Sequence, residues 1–93
     1  MAAVTWTVSI IGQARKAKKN LSVNAQKKLV VLIEELKSGP ERLAWPNYGK
    51  LGIDTYHCHV KKGRPTYVVC WVANKKSKTI GVYYAGTHEN APY

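Results

Sequence analysis

The chain has 93 residues, 45% of them apolar, with 15 Lys and Arg against 5 Asp and Glu for a net charge of +10. That is enough for one hydrophobic core and too little for two, and too apolar for a disordered chain, so a single domain over residues 1–93 is expected. The charge surplus points to an anionic partner, nucleic acid first.

The first residues lack a cationic leader, and the apolar run 8–11 is too short for a signal core or a membrane span. The expectation is a cytoplasmic protein with no membrane partner, in which Cys58 and Cys70 stay reduced. Residues 4–10 alternate Val4, Trp6, Val8 and Ile10 with hydroxyl side chains, the period of a half-buried strand ended by Gly12. Residues 13–20 carry Arg15, Lys16, Lys18 and Lys19 among small apolar partners and predict a short solvated helix or turn.

Over 23–36 the spacing of Ala25, Leu29, Leu32, Ile33 and Leu36 predicts a helix with one buried stripe, capped by Ser22 and stopped at Ser38-Gly39-Pro40. Lys27 and Lys28 near its start and Glu34 and Glu35 near its end oppose the helix dipole, so packing must hold it. Residues 41–54 lack periodicity and predict an ordered loop anchored by Trp45. Three strands follow, over 55–61, 66–73 and 79–85, with turns at Lys62-Gly63-Arg64-Pro65 and Asn74-Lys75-Lys76-Ser77.

In every strand the even-numbered residues are the more apolar, so Tyr56, Cys58, Val60, Val68, Cys70, Val72, Ile80, Val82 and Tyr84 are expected to face the helix. A hairpin centred near Arg64 then sets Cys58 opposite Cys70 on the buried face, close enough for a disulfide that a reducing compartment disfavours. The odd-numbered face collects His57, His59, Lys61, Tyr67, Val69, Trp71 and Tyr83. Bases stack on Tyr and Trp while Lys and protonated His neutralise phosphate, so this mixture points to RNA. Histidines two apart on a strand, with His88, offer zinc ligands, but no carboxylate or cysteine completes the set on that face, and no metal or cofactor is expected. An imidazole is also the side chain best matched to proton transfer near neutral pH.

The whole chain resembles the RelE/ParE toxin superfamily, and the RelE-like mRNA endonucleases of toxin–antitoxin systems in particular. The resemblance rests on the 56–61 strand, the Tyr67-Val68-Val69 strand, the Val82-Tyr83-Tyr84-Ala85-Gly86 strand end and the tail Thr87-His88-Glu89-Asn90-Ala91-Pro92-Tyr93. It implies an α+β, RelE-like fold: an N-terminal strand, a helical hairpin, then a three-stranded antiparallel meander, with the helices packed on one face of the sheet. It also implies an endoribonuclease that drives a ribose 2′-hydroxyl at the neighbouring phosphate, often in the ribosomal A site. His57 and His59 occupy the positions of that family's second-strand lysines, His88 that of its post-strand arginine, and Tyr93 that of its late tyrosine. Arg64 sits close to the third-strand arginine position, with Tyr67 the alternative match.

The resulting expectation is metal-independent RNA cleavage, with His57 or His59 as general base and His88 or Tyr93 as general acid. Lys61 and Arg64 would stabilise the phosphate, and Lys62, Tyr67, Trp71 and Tyr83 would join them in binding RNA. The resemblance adds mRNA and a cognate antitoxin as partners. A ParE-like inhibitor of DNA gyrase and a plain basic RNA-binding module are the alternatives.

Overall fold

The computed structural model describes residues 5–61 and 65–93, with the side chain of Lys18 set aside. Two helices pack on one face of a five-stranded sheet ordered β1-β5-β4-β3-β2. Strand β1 (Thr7–Ile10) runs parallel to β5 (Thr79–Thr87), while β5, β4 (Tyr67–Asn74), β3 (Thr55–Lys61) and β2 (Gly49–Gly52) are mutually antiparallel. Among the described residues no helix is long and apolar enough to cross a membrane.

The β1 strand is shorter than the alternation predicts, because Trp6 leaves the sheet and donates its N–H to the Lys37 carbonyl at 2.8 Å. Val4 lies outside the described residues. Helix α1 (Gln13–Ala17) buries Ala14 and continues into a 3₁₀ turn, Lys18–Asn20. Where β1 ends, the Gln13 amide takes over its edge of β5, donating to the Ala85 carbonyl at 3.3 Å and accepting the Ala85 N–H at 3.2 Å.

Helix α2 (Val23–Leu36) spans the predicted residues, and the Ser22 hydroxyl caps it by accepting the Ala25 N–H at 3.2 Å. Its stripe of Ala25, Leu29, Leu32 and Leu36 is buried against the sheet. Arg42 returns to the helix C-terminus, its guanidinium donating to the Glu35 carbonyl at 3.0 Å. The Glu35 carboxylate also accepts from the Trp45 indole at 2.9 Å, so Trp45 does anchor the loop.

That loop contains a strand the sequence did not announce. Residues of β2 pair with β3 across the two-residue turn Ile53-Asp54, where Asp54 has φ +57°. A four-residue strand closed by Asp rather than Asn-Gly or Asp-Gly carries a weak hairpin signal.

The face assignments of β3 hold, and those of β4 do not. Cys70 pairs with His57, Val69 with Cys58 and Val68 with His59, so across this hairpin odd residues share a face with even ones. A one-residue change of register exchanges the two faces of a strand. Val69, Trp71 and Ala73 therefore join the main core, while Val68 and Cys70 turn to the other side and Val72 is 39% exposed. Cys58 and Cys70 lie on opposite faces, which rules out the conceivable disulfide; both are free and buried. The intended hairpin residues Lys62, Gly63 and Arg64 lie outside the described residues, but the register shift between His59 and Lys61 is visible.

A second irregularity, between Cys70 and Trp71, gives β5 one extra residue at Tyr83. Such a bulge lets consecutive side chains share a face. Tyr83 and Tyr84 both pack against Val68 and Cys70, away from the helices, so Tyr84 is not on the predicted face. Trp71 belongs to the core stack, 6.0 Å from the Tyr56 ring and 6.3 Å from the Tyr48 ring, and its indole donates to the Pro40 carbonyl at 3.0 Å. It offers no surface to RNA.

Candidate active site

Strand β3 buries Tyr56, Cys58 and Val60 and leaves His57 and His59 partly exposed on the sheet face opposite the helices. The C-terminal segment folds back onto this same face. A 3₁₀ turn, His88–Asn90, follows β5, and Ala91 packs on the small cluster of Val68, Cys70 and Tyr84. Two bonds fix the turn: the His88 N–H donates to the Thr66 carbonyl at 2.8 Å, and the Tyr84 hydroxyl donates to the Thr87 carbonyl at 2.7 Å.

The return brings His57, His59, His88 and Tyr93 together, although 31 positions separate the first from the third. Ring centroids lie 6.5 Å apart for His57 and His59, 5.4 Å for His59 and His88, 4.7 Å for His57 and Tyr93, and 6.0 Å for His88 and Tyr93. The imidazoles form a row rather than converging on a point. Among the described residues no group of three or more His, Cys, Asp or Glu is disposed to hold a metal ion.

The edge strand β2 gives His57 its orientation. Its Nδ1 lies 3.1 Å from the Gly49 carbonyl oxygen. A carbonyl only accepts, so this contact assigns the proton to Nδ1 and leaves the neutral ring's lone pair on Nε2. Gly49 also makes room, since a Cβ there would stand 3.3 Å from His57 Cε1. Neither Gly49 nor Tyr84 was among the sequence candidates; the one available signal was the glycine bordering the Lys50-Leu51 alternation.

Beneath the row the surroundings are neutral and partly dry. Burial raises the Tyr93 phenol above its ordinary value, so it is protonated at neutral pH. Tyr83, hydrogen-bonded to the Cys70 thiol, is pushed up to about 12, chiefly by burial, and Cys70 itself to about 11 for the same reason. Both therefore hold their protons under the row. Tyr83 does lie on the predicted face.

Lys61 and Tyr67 do not join it. Past the register shift Lys61 pairs with Tyr67, its ammonium 5.9 Å from that ring's centroid, and Tyr67 packs against the helix-side core. Lys62 and Arg64 lie outside the described residues. The site thus offers a lone-pair nitrogen on His57, two further imidazoles and a protonated phenol along one open face.

No protein-family model matches the sequence, and no curated protein does. Solved structures do. The archaeal RelE–RelB complex from Pyrococcus horikoshii OT3 aligns with a TM-score of 0.73 at 20% identity, over 94% of this chain and 99% of that one. An E. coli RelE toxin with two arginine-to-alanine substitutions, in the free state, aligns with a TM-score of 0.72 at 16% identity, over 94% of this chain and 87% of that one. The toxin–antitoxin complex RelBE2 from Mycobacterium tuberculosis gives 0.66 at 20% identity, over 91% and 100%. This chain has the RelE fold. Within that fold the imidazole row runs along β3 and is closed by the C-terminal turn.

Proposed function

We propose that this chain is the toxin of a toxin–antitoxin pair and that it is an endoribonuclease acting on mRNA without a metal ion. One observation carries the reading: His57, His59, His88 and Tyr93 lie side by side on the open sheet face of a chain with net charge +10. Two of the similar solved structures are toxin–antitoxin complexes, which supports a cognate antitoxin as protein partner.

His57 Nε2, with its tautomer held by Gly49, takes the proton of a ribose 2′-hydroxyl. The 2′-oxygen attacks the adjacent phosphorus, and the bond from phosphorus to the 5′-oxygen breaks. His88, at the far end of the row, protonates that leaving oxygen, and a protonated His59 between them neutralises the phosphate. Tyr93 closes the site over His57 and supplies a face for a base. The products are a 2′,3′-cyclic phosphate and a 5′-hydroxyl end.

The test is incubation of purified protein with end-labelled mRNA in EDTA, free and on translating ribosomes, with the new ends mapped. Cleavage is expected to fall about 10²- to 10⁴-fold in His57→Ala and in His88→Ala, with the fold intact by circular dichroism. Activity abolished by EDTA and restored by zinc would overturn the acid–base scheme. Growth arrest on expression with mRNA intact and gyrase inhibited would replace the ribonuclease reading with gyrase inhibition.

A further inference from the structure

On the other side of the turn that carries His88 lies a crevice of about 430 Å³ with apolar walls and a few polar groups, between α1, the end of β5 and the two 3₁₀ turns. We propose that it is a subsite for one unpaired nucleobase of the RNA, next to the scissile bond; the proposal rests on the ribonuclease reading for its substrate. Asn20 and Asn90 line it from the two turns, with Thr87 and the Tyr67 ring. Each Asn amide offers both donors and an acceptor, the complement of a base's hydrogen-bonding edge. The Thr87 hydroxyl at its edge is buried and has no partner among the described residues, a polar group that a small shift of the wall would offer to a bound base.

Gln13 also borders the crevice, but its amide is committed to Ala85 on both atoms, so it forms a wall rather than a reader. Among the described residues no acidic side chain lines the space. Lys61 stands over Tyr67 at 5.9 Å, setting a cation for phosphate beside an aromatic face for stacking. Thr87 precedes His88 and Asn90 follows it by two residues, and their turn is fixed by the His88 N–H donating to the Thr66 carbonyl and the Tyr84 hydroxyl donating to the Thr87 carbonyl. The crevice and His88 thus share one turn of the chain. The larger groove, about 710 Å³ over Val72 and Gly81, carries Lys75 and Lys76 but offers no aromatic face for a base, and its Asp54 pairs with Lys75 at 3.4 Å.

The experiment is titration of ¹³C,¹⁵N-labelled protein with each 3′-mononucleotide and, separately, with inorganic phosphate. The side-chain amides of Asn20 and Asn90 and the ring of Tyr67 are expected to shift with nucleotide and not with phosphate, with at least about tenfold preference among the four bases. Asn20→Ala and Asn90→Ala should flatten that preference, and Tyr67→Ala should weaken all four about tenfold. Asn20 is exposed, so its variant folds whether or not the Tyr67 variant does. Equal shifts with phosphate alone, preference unchanged in both Asn variants, or shifts only with an acidic peptide would overturn the proposal. Binding is read without cleavage, so the two readings separate. Base-selective shifts in a protein that cuts no RNA would refute the ribonuclease and keep the subsite. Cleavage with no response at Asn20, Asn90 or Tyr67 would do the reverse.

Discussion

Replacing Gly49 by Ala tests whether the edge strand β2 holds the proposed base in place. The new methyl would stand 3.3 Å from His57 Cε1 and 3.9 Å from Nδ1, so the ring must yield by a few tenths of an ångström. The bond from Nδ1 to the Gly49 carbonyl is already 3.1 Å. A displacement of about 0.5 Å takes it beyond useful hydrogen bonding, and the imidazole loses both its tautomer and its aim. Misplacement on this scale costs on the order of 10- to 10²-fold in rate. Stability should change little, because alanine restricts the unfolded chain by about 0.4–1 kcal/mol, which offsets the crowding. Gly52 in the same strand is the control, since a Cβ there meets nothing within 4 Å. Single-turnover cleavage, thermal melting and long-range ¹H–¹⁵N correlation of the His57 ring provide the readouts. Gly49→Ala should lose rate and the Nδ1–H signature while its melting temperature stays within a few degrees, and Gly52→Ala should lose neither. A Gly49→Ala protein that keeps its Nδ1 proton and cleaves within about twofold of wild type would refute the orienting role.

Tyr84→Phe removes the 2.7 Å bond to the Thr87 carbonyl, and Gly86→Ala sets a methyl 2.8 Å from the Tyr84 hydroxyl, so each loosens the turn holding His88. Both should lower cleavage about tenfold and speed hydrogen exchange of the His88 amide; unchanged exchange and rate would exclude this buttress. Trp71→Phe leaves the buried Pro40 carbonyl unpaired and should cost about 2 kcal/mol in urea unfolding. RNA affinity should be unaffected, and a large loss in affinity at unchanged stability would return Trp71 to the RNA surface. Burial raises Cys58 to about 12, Cys70 to about 11 and Tyr83 to about 12, against ordinary values of 9.0 and 10.0. Above about pH 9 the unfolded chain loses these protons while the folded chain keeps them, so stability should be level below that pH and fall between about pH 9 and 12. A urea midpoint that stays constant through that window would contradict the burial of these groups.

The elements whose faces were legible are those whose pattern depends on one element alone. Helix α2 shows its stripe and its Ser22 cap in sequence because both arise within a few turns of the same chain. The alternation of β3 likewise assigns Tyr56, Cys58 and Val60 inward without reference to any neighbour. Strand β4 gives no such reading. Tyr67-Val68-Val69-Cys70-Trp71 is apolar at successive positions, so its faces follow from register, which the shift near Lys61 alters by one residue. The extra residue at Tyr83 repeats the effect in β5. These two irregularities account for the misplacement of Tyr67, Trp71, Cys70 and Tyr84 together.

The candidate site and the unreadable strand have a common cause. A central strand that is apolar throughout must be covered on both sides. The helices cover one face of β4 through Val69 and Trp71; the other face, at Val68 and Cys70, is covered by Tyr84 and by Ala91 of the returning C-terminal segment. That return carries His88 and Tyr93 to the histidines of β3. Had β4 alternated cleanly, its second face would be polar and would give the tail little to pack on, leaving His57 and His59 as a solvated pair. The apolar run that hides the register is thus what assembles the row. Replacing Val68 or Ala91 by a charged residue should therefore release the tail and separate His88 from His59 while the helix-side core stays folded. Loss of the ring contact with retained α2 and β3 amide protection is the expected result, and retained contact would show that the two bonds to the turn suffice without this packing.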